Sequence, residues 1–311
     1  MIKIIFFATP QIALASFKAL IDDPNFEVAA LVTQEPKPSG RGKKVVHSVL
    51  AEFAHGVGIK TYEPFKIAQE PAIIEELRKI EADFFVTFAF GQILSQEILD
   101  IPKCGTVNLH ASLLPKYRGA NPIREALLRG DKKTGITTML TVLELDAGDI
   151  CLQKEIELDE NMTSVELTEK IAALSPALIK ETLLGLKCGK VKPIAQNHNE
   201  ATHTRKTKKE EKIIDWSESA ETIHNKIRAL VDNFACQTTF GGKIIKLIKT
   251  LKYDAKGEAG AIIEVSKKGV VVGTGKGALL IETVKPEGKG EMPAYNWSLG
   301  ARIEKGDKFE S

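Results

Sequence analysis

The first 110 residues alternate short apolar runs with segments that have the helical period of 3.6 residues. This alternation is typical of βαβ units, in which consecutive strands lie parallel in one sheet. Ligands of such sheets bind beyond the carboxyl ends of the strands. We therefore expect an α/β fold with a Rossmann-like, doubly wound, mostly parallel sheet whose site lies in the loops after the strands. The alternating runs are residues 2–8, 12–21, 28–33, 45–55, 73–80, 83–88 and 106–109.

A length of 311 residues leaves room for about two domains of roughly 150 residues each. The hydrophobic period stops around residues 187–207, and short β-rich runs separated by glycine-containing turns follow. Several short strands of this spacing indicate a small β-barrel. We expect a first domain at residues 1–187, a linker at 188–207 and a C-terminal, OB-like β-barrel domain at 208–311.

Charge and cysteine usage indicate the compartment and the classes of partner. The net charge of +2 divides into +5 from His203 onward and −3 before it, which fits either a solvated surface or a face for nucleic acid. The chain has no secretory pattern and no apolar stretch near the ~18 residues of a membrane helix. The cysteines lack the spacing of a disulfide framework or a zinc site. We expect a cytoplasmic protein without metal or membrane contact; its cysteines are Cys104, Cys151, Cys188 and Cys236.

Asn108 and His110 end the strand-like run at residues 105–110. Side chains two apart share a face of a strand, so both should point into the crevice at the sheet edge. An amide can donate to an oxyanion and an imidazole can carry a proton, which suits acyl chemistry. A structural histidine would give the same pattern. The long aperiodic segment that follows, residues 111–122, is suited to wrapping a ligand.

Two loops contain further charged residues. Residues 135–142 and 150–158 alternate like strands, and the turn between them carries Asp146 and Asp149, which turn chemistry alone would also explain. The segment from Gly40 to Lys44 is basic but lacks both nucleotide-binding glycine fingerprints. It could be a mobile basic loop at the ligand edge or an ordinary surface loop.

Motifs at residues 108–115, 118–119, 134–137 and 145–149, taken together and in this order, resemble the folate-dependent formyltransferase family. The resemblance implies a catalytic set of Asn108, His110 and Asp146. It implies 10-formyltetrahydrofolate as the formyl-donor co-substrate, with no metal. The implied folate contacts are Phe90, Gly91, Gln92, Ile93, Leu94, Ser112, Leu113, Leu114, Pro115, Leu143 and Asp146.

Three branches of this family differ in their formyl acceptor. The branch that acts on glycinamide ribonucleotide ends after one domain and has a phosphate loop near its start. At that place this chain has the sequence Ala8-Thr-Pro-Gln11 instead. The resemblance over nearly the whole chain, including the pattern at residues 208–216, implies initiator methionyl-tRNA as partner and no obligate protein partner. It assigns catalysis to residues 1–187 and tRNA binding to residues 208–311. Basic charge predicts two clusters of tRNA contacts, Arg41, Lys43 and Lys44 in the loop and Arg205, Lys206, Lys208 and Lys209 in the linker, although a solvated surface would explain both. The resemblance implies that Arg41 clamps the acceptor end.

Two alternatives and one departure remain. An amino-sugar nucleotide is the alternative acceptor, because that branch shares the catalytic motifs. A non-catalytic RNA- or folate-binding protein on the same fold should have lost Asn108, His110 or Asp146, and all three are present. Residues 231–236 depart from the proline-rich pattern of the family, which puts the local packing of the second domain in doubt.

Overall fold

The structure is a computed structural model and describes residues 1–39, 44–232 and 234–310. The chain divides into two compact units, each assembled from three stretches. Within the described residues, no helix is both long enough and apolar enough to cross a membrane. Unit 1 comprises Met1–Gly119, Thr134–Ile156 and Thr168–Thr204, and unit 2 comprises Ala120–Lys133, Glu157–Leu167 and Arg205–Ser311.

The strands and helices follow one another along the chain in this order: β1 (Ile2–Ala8), α1 (Leu14–Ile21), β2 (Phe26–Val32), β3 (Lys37–Ser39), β4 (Lys44–Val46), α2 (Val49–Gly56), β5 (Lys60–Tyr62), α3 (Pro71–Lys79), β6 (Phe84–Phe88), α4 (Gln96–Leu99), β7 (Thr106–His110), β8 (Arg118–Gly119), α5 (Pro122–Leu128), β9 (Lys133–Leu140), β10 (Ile150–Glu157), α6 (Ser164–Lys187), β11 (His203–Thr204), α7 (Ala220–Leu230), β12 (Gln237–Phe240), β13 (Lys243–Tyr253), β14 (Ile262–Ser266), β15 (Gly269–Gly273), β16 (Ala278–Pro286), β17 (Met292–Pro293) and α8 (Ala294–Ala301).

The main sheet of unit 1 has the strand order β10-β9-β7-β6-β1-β2-β5. The pairs β1/β2, β1/β6, β2/β5 and β6/β7 are parallel, and β9 runs antiparallel to β7. Strands β1 and β6 are buried along almost their whole length, as expected of central parallel strands that are covered on both faces. Because β6 and β7 are parallel neighbours, the loops after them leave the sheet at the same edge.

The predicted fold class is confirmed, and two elements differ in detail. The predicted run at 12–21 begins as a short 3-10 helix, Gln11–Ala13, before α1. Helix α6 is not among the predicted runs, because Pro176 lies inside it and proline normally breaks a helix. Within unit 1, buried hydroxyl pairs tie this helix to α1 and β9: Ser175 bonds to Ser16 at 2.7 Å and Thr182 to Thr138 at 2.7 Å.

The sheet of unit 2 is antiparallel, with the order β12-β13-β16-β15-β14 and with β17 paired to β16. Near the chain end, Glu310 bridges to Thr239 on β12, and Lys308 bridges to Ala261 just before β14. The last residues therefore link the two edges of this sheet, which is the closure that a β-barrel requires.

Buried polar side chains on α7 hold the three stretches of unit 2 together. The Arg228 guanidinium donates to the carbonyl oxygens of Met162 (3.0 Å) and Leu127 (3.3 Å). His224 Nε2 donates to the Glu160 carbonyl at 3.0 Å, and its Nδ1 lies 3.0 Å from the Thr250 hydroxyl. Burial disfavours the charged imidazole and lowers the pKa of His224.

Candidate active site

Strand β7 places Asn108 and His110 two residues apart, so that both side chains lie on one face. Asn108 is paired in register with Thr87 on β6, and the Thr87 hydroxyl donates to Asn108 Oδ1 at 2.7 Å. This hydrogen bond occupies the acceptor end of the amide. The donor end, Nδ2, is thereby oriented away from Thr87, where it can serve a developing oxyanion.

The hydrogen bonds of His110 define its tautomer. Its Nε2 lies 2.9 Å from the Tyr117 carbonyl oxygen, which can only accept, so Nε2 carries the proton in the neutral ring. The other nitrogen, Nδ1, then has the free electron pair and lies 3.5 Å from Asp146 Oδ2. A proton taken up by this buried imidazole is received at Nδ1, next to a carboxylate.

Asp146 occupies a left-handed backbone conformation, with φ of 52°, in the turn between β9 and β10. Its Oδ2 accepts a hydrogen bond of 2.7 Å from the Gly119 amide. The carboxylate therefore lies between a backbone donor that follows β7 in sequence and the imidazole that ends β7. The structure thus brings His110 and Asp146 together, and Asn108 lies two residues before His110 on the same strand.

The surroundings of Gly148 explain why the motif Asp146-Ala-Gly-Asp149 contains a glycine. A Cβ atom built there would lie 1.8 Å from the Leu140 carbonyl oxygen, a distance that no side chain can occupy. The turn thus approaches the end of β9 more closely than any residue other than glycine allows.

Gln196 also bonds to this turn, although the sequence places it within the expected linker. Its Nε2 donates to the carbonyl oxygens of Asp146 (2.9 Å) and Gly148 (2.7 Å). Its Oε1 accepts from Arg118 Nη2 at 2.8 Å and from Nε at 3.1 Å. Sequence reasoning missed Gln196 because aperiodic polar stretches look alike. It also missed Thr87, for which the one polar residue within the run Phe-Phe-Val-Thr-Phe is a usable signal.

The predicted folate contacts after β6 have different environments. Phe90 and Leu94 belong to the hydrophobic core of unit 1. The Gln92 side chain accepts from the Ile67 amide and donates to the Pro64 carbonyl. Ile93 is 82% exposed, and Gly91 has φ of 79° with its Cα facing Gln34 Nε2. Of these five residues, Gly91 and Ile93 are exposed.

The predicted contacts after β7 form a loop of fixed shape. The Ser112 and Leu114 side chains are buried, whereas Leu113 and Pro115 are half-buried. The Thr137 hydroxyl donates to the Ser112 carbonyl at 2.6 Å and accepts from the Leu114 amide at 3.2 Å. These internal hydrogen bonds of its backbone fix the shape of the loop.

The turn with Asp146 adds exposed apolar side chains beside the polar catalytic set. Val142, Leu143 and Leu145 are all exposed, and Leu143 is a predicted folate contact. Apolar surface next to a few oriented polar groups is the usual composition of a small-molecule site. Within the residues that the structure describes, no three His, Cys, Asp or Glu side chains are grouped so as to hold a metal ion.

The predicted tRNA contacts fall into two groups. Arg41 and Lys43 lie outside the described residues, and Lys44 begins β4. In the second group, Arg205 forms an ion pair with Glu211. Burial would raise the pKa of Glu211, but hydrogen bonds from Arg205 and the Lys208 amide outweigh it and lower the pKa, so that Glu211 stays charged. The other members of this group, Lys206, Lys208 and Lys209, are exposed.

Comparison with known proteins agrees with these motifs. The family model described as formyl transferase matches residues 2–183, and the model described as formyl transferase, C-terminal domain, matches residues 206–302. The methionyl-tRNA formyltransferase of Clostridium botulinum (strain Alaska E43 / Type E3) is 44% identical over 306 residues, which cover 97% of this chain and 98% of that protein. That of Clostridium novyi (strain NT) is 39% identical over 304 residues, which cover 97% and 98%.

A solved structure gives the same result for the fold. The N-formyltransferase from Helicobacter canadensis, solved with folinic acid and dTDP-3-aminofucose, has a TM-score of 0.68 at 19% identity, covering 90% of this chain and 98% of that one. The resemblance drawn from the motifs is confirmed by the matches across both halves of the sequence. The chain belongs to the formyl transferase family.

Proposed function

We propose that this protein transfers the formyl group of 10-formyltetrahydrofolate to the α-amino group of initiator methionyl-tRNA, in the cytoplasm. The observation that carries the proposal is the arrangement of Asn108, His110 and Asp146 at one edge of the main sheet. Full-length relatives named methionyl-tRNA formyltransferase support this acceptor.

Each member of the catalytic set has one role. A free α-amino group has a pKa of about 7.7–8.0, so a useful fraction is neutral near pH 7 and can attack the formyl carbon. His110 takes the amine proton at Nδ1, and Asp146 stabilises the resulting imidazolium. Asn108 Nδ2 donates to the oxyanion as the carbon becomes tetrahedral, an interaction whose loss typically costs ~10²–10³ in rate. The His110 imidazolium then returns the proton to the folate nitrogen as the C–N bond breaks, so tetrahydrofolate leaves as a neutral amine and His110 is again neutral.

Loop shape, more than side-chain chemistry, supports the folate pocket. The predicted contacts that face away from the core are Ile93, Leu143 and the backbone near Gly91, which offer apolar surface and amide groups to a flat heterocycle. The buried Ser112 and Leu114 maintain the loop on which Pro115 lies.

For the tRNA, we propose two basic contacts with different roles. Arg41, together with Lys43 and Lys44, clamps the acceptor end, so an Arg41→Ala enzyme should lose turnover as well as affinity. The exposed Lys206, Lys208 and Lys209 follow the phosphate backbone of the tRNA. Arg205 contributes less because Glu211 already neutralises it.

The salt dependence of binding tests the second contact. Replacing Lys206, Lys208 and Lys209 by alanine should weaken tRNA binding and flatten the plot of log affinity against log salt by ~0.7–0.9 per lost contact, with saturated turnover unchanged. Alanines at the exposed Lys66, Lys79 and Lys170 remove the same charge elsewhere and should leave the slope unchanged. An unaltered slope in the first variant refutes the backbone contact.

One assay tests the acceptor itself. The purified protein is given 10-formyltetrahydrofolate with charged initiator tRNA, glycinamide ribonucleotide or an amino-sugar nucleotide in parallel reactions. We expect product on the tRNA alone, and none from His110→Ala. Product on the sugar nucleotide alone would move the chain to that branch. The absence of any product with every acceptor would favour a binding protein.

A further inference from the structure

The Gln196 side chain lies in the wall of the catalytic site without facing the reacting groups. It is 5% exposed, and its amide makes five hydrogen bonds, one of which is a long contact to Met139 Sδ at 3.9 Å. Both donors go to carbonyl oxygens of the turn that bears Asp146, and the oxygen accepts twice from Arg118. The orientation of this amide is unambiguous, because a guanidinium only donates and carbonyl oxygens only accept.

The Gln196 side chain thus connects the turn to Arg118, and Arg118 is itself held in place by several contacts. Arg118 is 1% exposed, and its Nη1 also lies 3.4 Å from Glu144 Oε1 and from His198 Nδ1. Arg118 directly precedes Gly119, whose amide donates to the Asp146 carboxylate. The same short strand, β8, therefore holds the Asp146 side chain through its backbone and the Asp146 backbone through Gln196.

This double attachment offsets an unfavourable backbone. Asp146 has φ of 52°, a left-handed conformation that residues other than glycine seldom adopt. Such a conformation persists only where the surroundings impose it. We propose that Gln196 is a positioning residue, which keeps the Asp146 carboxylate at its place beside His110 Nδ1. The inference rests on the proposed function for its kinetic consequences, but its structural part does not.

Two variants distinguish the hydrogen bonds that Gln196 Nε2 donates to the turn from those that Oε1 accepts from Arg118. Gln196→Glu keeps the size of the side chain and still offers Arg118 an acceptor, while it withdraws both donors from the turn. Gln196→Ala removes both sets of hydrogen bonds and leaves the buried Arg118 short of a partner. Because Gln196→Glu keeps the buried guanidinium paired, it should remain folded even if the alanine variant does not.

Turnover in a double-mutant cycle tests the coupling to Asp146. Gln196→Glu should lower kcat about 10- to 100-fold, since a misplacement of ~1 Å can cost on the order of 10²-fold, while the KM for tRNA stays within about twofold. Added to Asp146→Asn, it should lower kcat by less than about twofold more, because its only target is already disabled. Asn197→Ala, which loosens the same segment at an exposed neighbour, should retain full turnover. If Gln196→Glu lowered kcat by the same factor in the Asp146→Asn enzyme as in the wild-type enzyme, the two losses would be additive and the inference would be refuted.

Hydrogen exchange of the Gly119 amide provides a readout that needs no substrate. We expect this amide, bonded to Asp146 at 2.7 Å, to exchange at least about 10-fold faster in Gln196→Glu, with the amides of β1 unchanged. Unchanged exchange at Gly119 would refute the inference even if formyl transfer is demonstrated. Failure of the wild-type protein to formylate tRNA would refute only the proposed function, because the exchange result stands by itself.

Discussion

Replacing Gly148 by alanine tests how closely the turn that bears Asp146 must approach strand β9. The new Cβ would lie 1.8 Å from the Leu140 carbonyl oxygen and 2.9 Å from its carbon. Both atoms belong to the backbone of a paired strand, so they cannot rotate away as a side chain would. The turn has to move instead.

The distances give the size of that movement. Real contacts of a Cβ atom almost never fall below 3.0 Å, so the turn must shift by at least about 1.2 Å to relieve the overlap. Asp146 is two residues away and would be carried with it. Because a misplacement of ~1 Å in a catalytic group can lower the rate on the order of 10²-fold, we expect kcat to fall by about that factor. Forcing a methyl group into a filled space also costs ~1–3 kcal/mol of stability.

The measurement is kcat at saturating tRNA and folate, together with the melting temperature. The matched control is Gly56→Ala at the end of α2, where a Cβ meets nothing within 4 Å, and this variant should keep both values. A Gly148→Ala enzyme with wild-type turnover and a normal melting temperature would show that the turn is free to move, and would remove the basis for a fixed Asp146.

Three further predictions concern single contacts. Thr87→Val should lower kcat about 2- to 10-fold, because a hydrogen bond worth ~0.5–1.5 kcal/mol orients Asn108. Thr87→Ser keeps the hydroxyl and should keep kcat near the wild-type value. Equal kcat values for the two variants would contradict this prediction. Burial lowers the pKa of His224, so the unfolded chain binds the proton more readily than the folded protein does. The contribution of His224 to the free energy of unfolding should therefore be complete above pH ~6.5 and decline as the pH falls below it. If the melting temperature of a His224→Gln protein fell as much between pH 7 and 5 as that of the wild type, this would count against the prediction. Gly91→Val should weaken equilibrium binding of tetrahydrofolate more than Ile93→Ala does, because its Cβ meets Gln34 Nε2 at 2.5 Å in a left-handed backbone; unaltered binding would exclude this pocket.

Local pattern predicts the strand that bears the catalytic pair, and it cannot predict the turn that completes it. Alternation places Asn108 and His110 on one face of β7, and the register with β6 and β9 agrees with that placement. Asp146 came only from the family resemblance, because an aspartate in a turn has a sufficient local explanation. Its carboxylate is held by Gly119 and His110, which are distant from it in sequence.

Gln196 shows the same limit more strongly. It contacts Asp146 and Gly148 across about fifty residues, and its partners there are carbonyl oxygens, which every residue has. Such a contact leaves neither a period nor a characteristic neighbour in the sequence. The stretch around it therefore reads as a linker, and the role of its buried amide emerges only in three dimensions.

The three-part construction of unit 2 limits how this C-terminal half can be exchanged between proteins. A graft that replaces residues 205–311 would remove the partners of Leu127 and Met162, and an excised C-terminal fragment would keep Arg228 without those carbonyl oxygens. A buried guanidinium deprived of its acceptors costs several kcal/mol, on the order of the net stability of many domains. Recombination at residue 205 should thus yield poorly folded chimeras unless the segments at 120–133 and 157–167, which contain α5 and the start of α6, travel with the barrel, so this half should be exchangeable only as three segments.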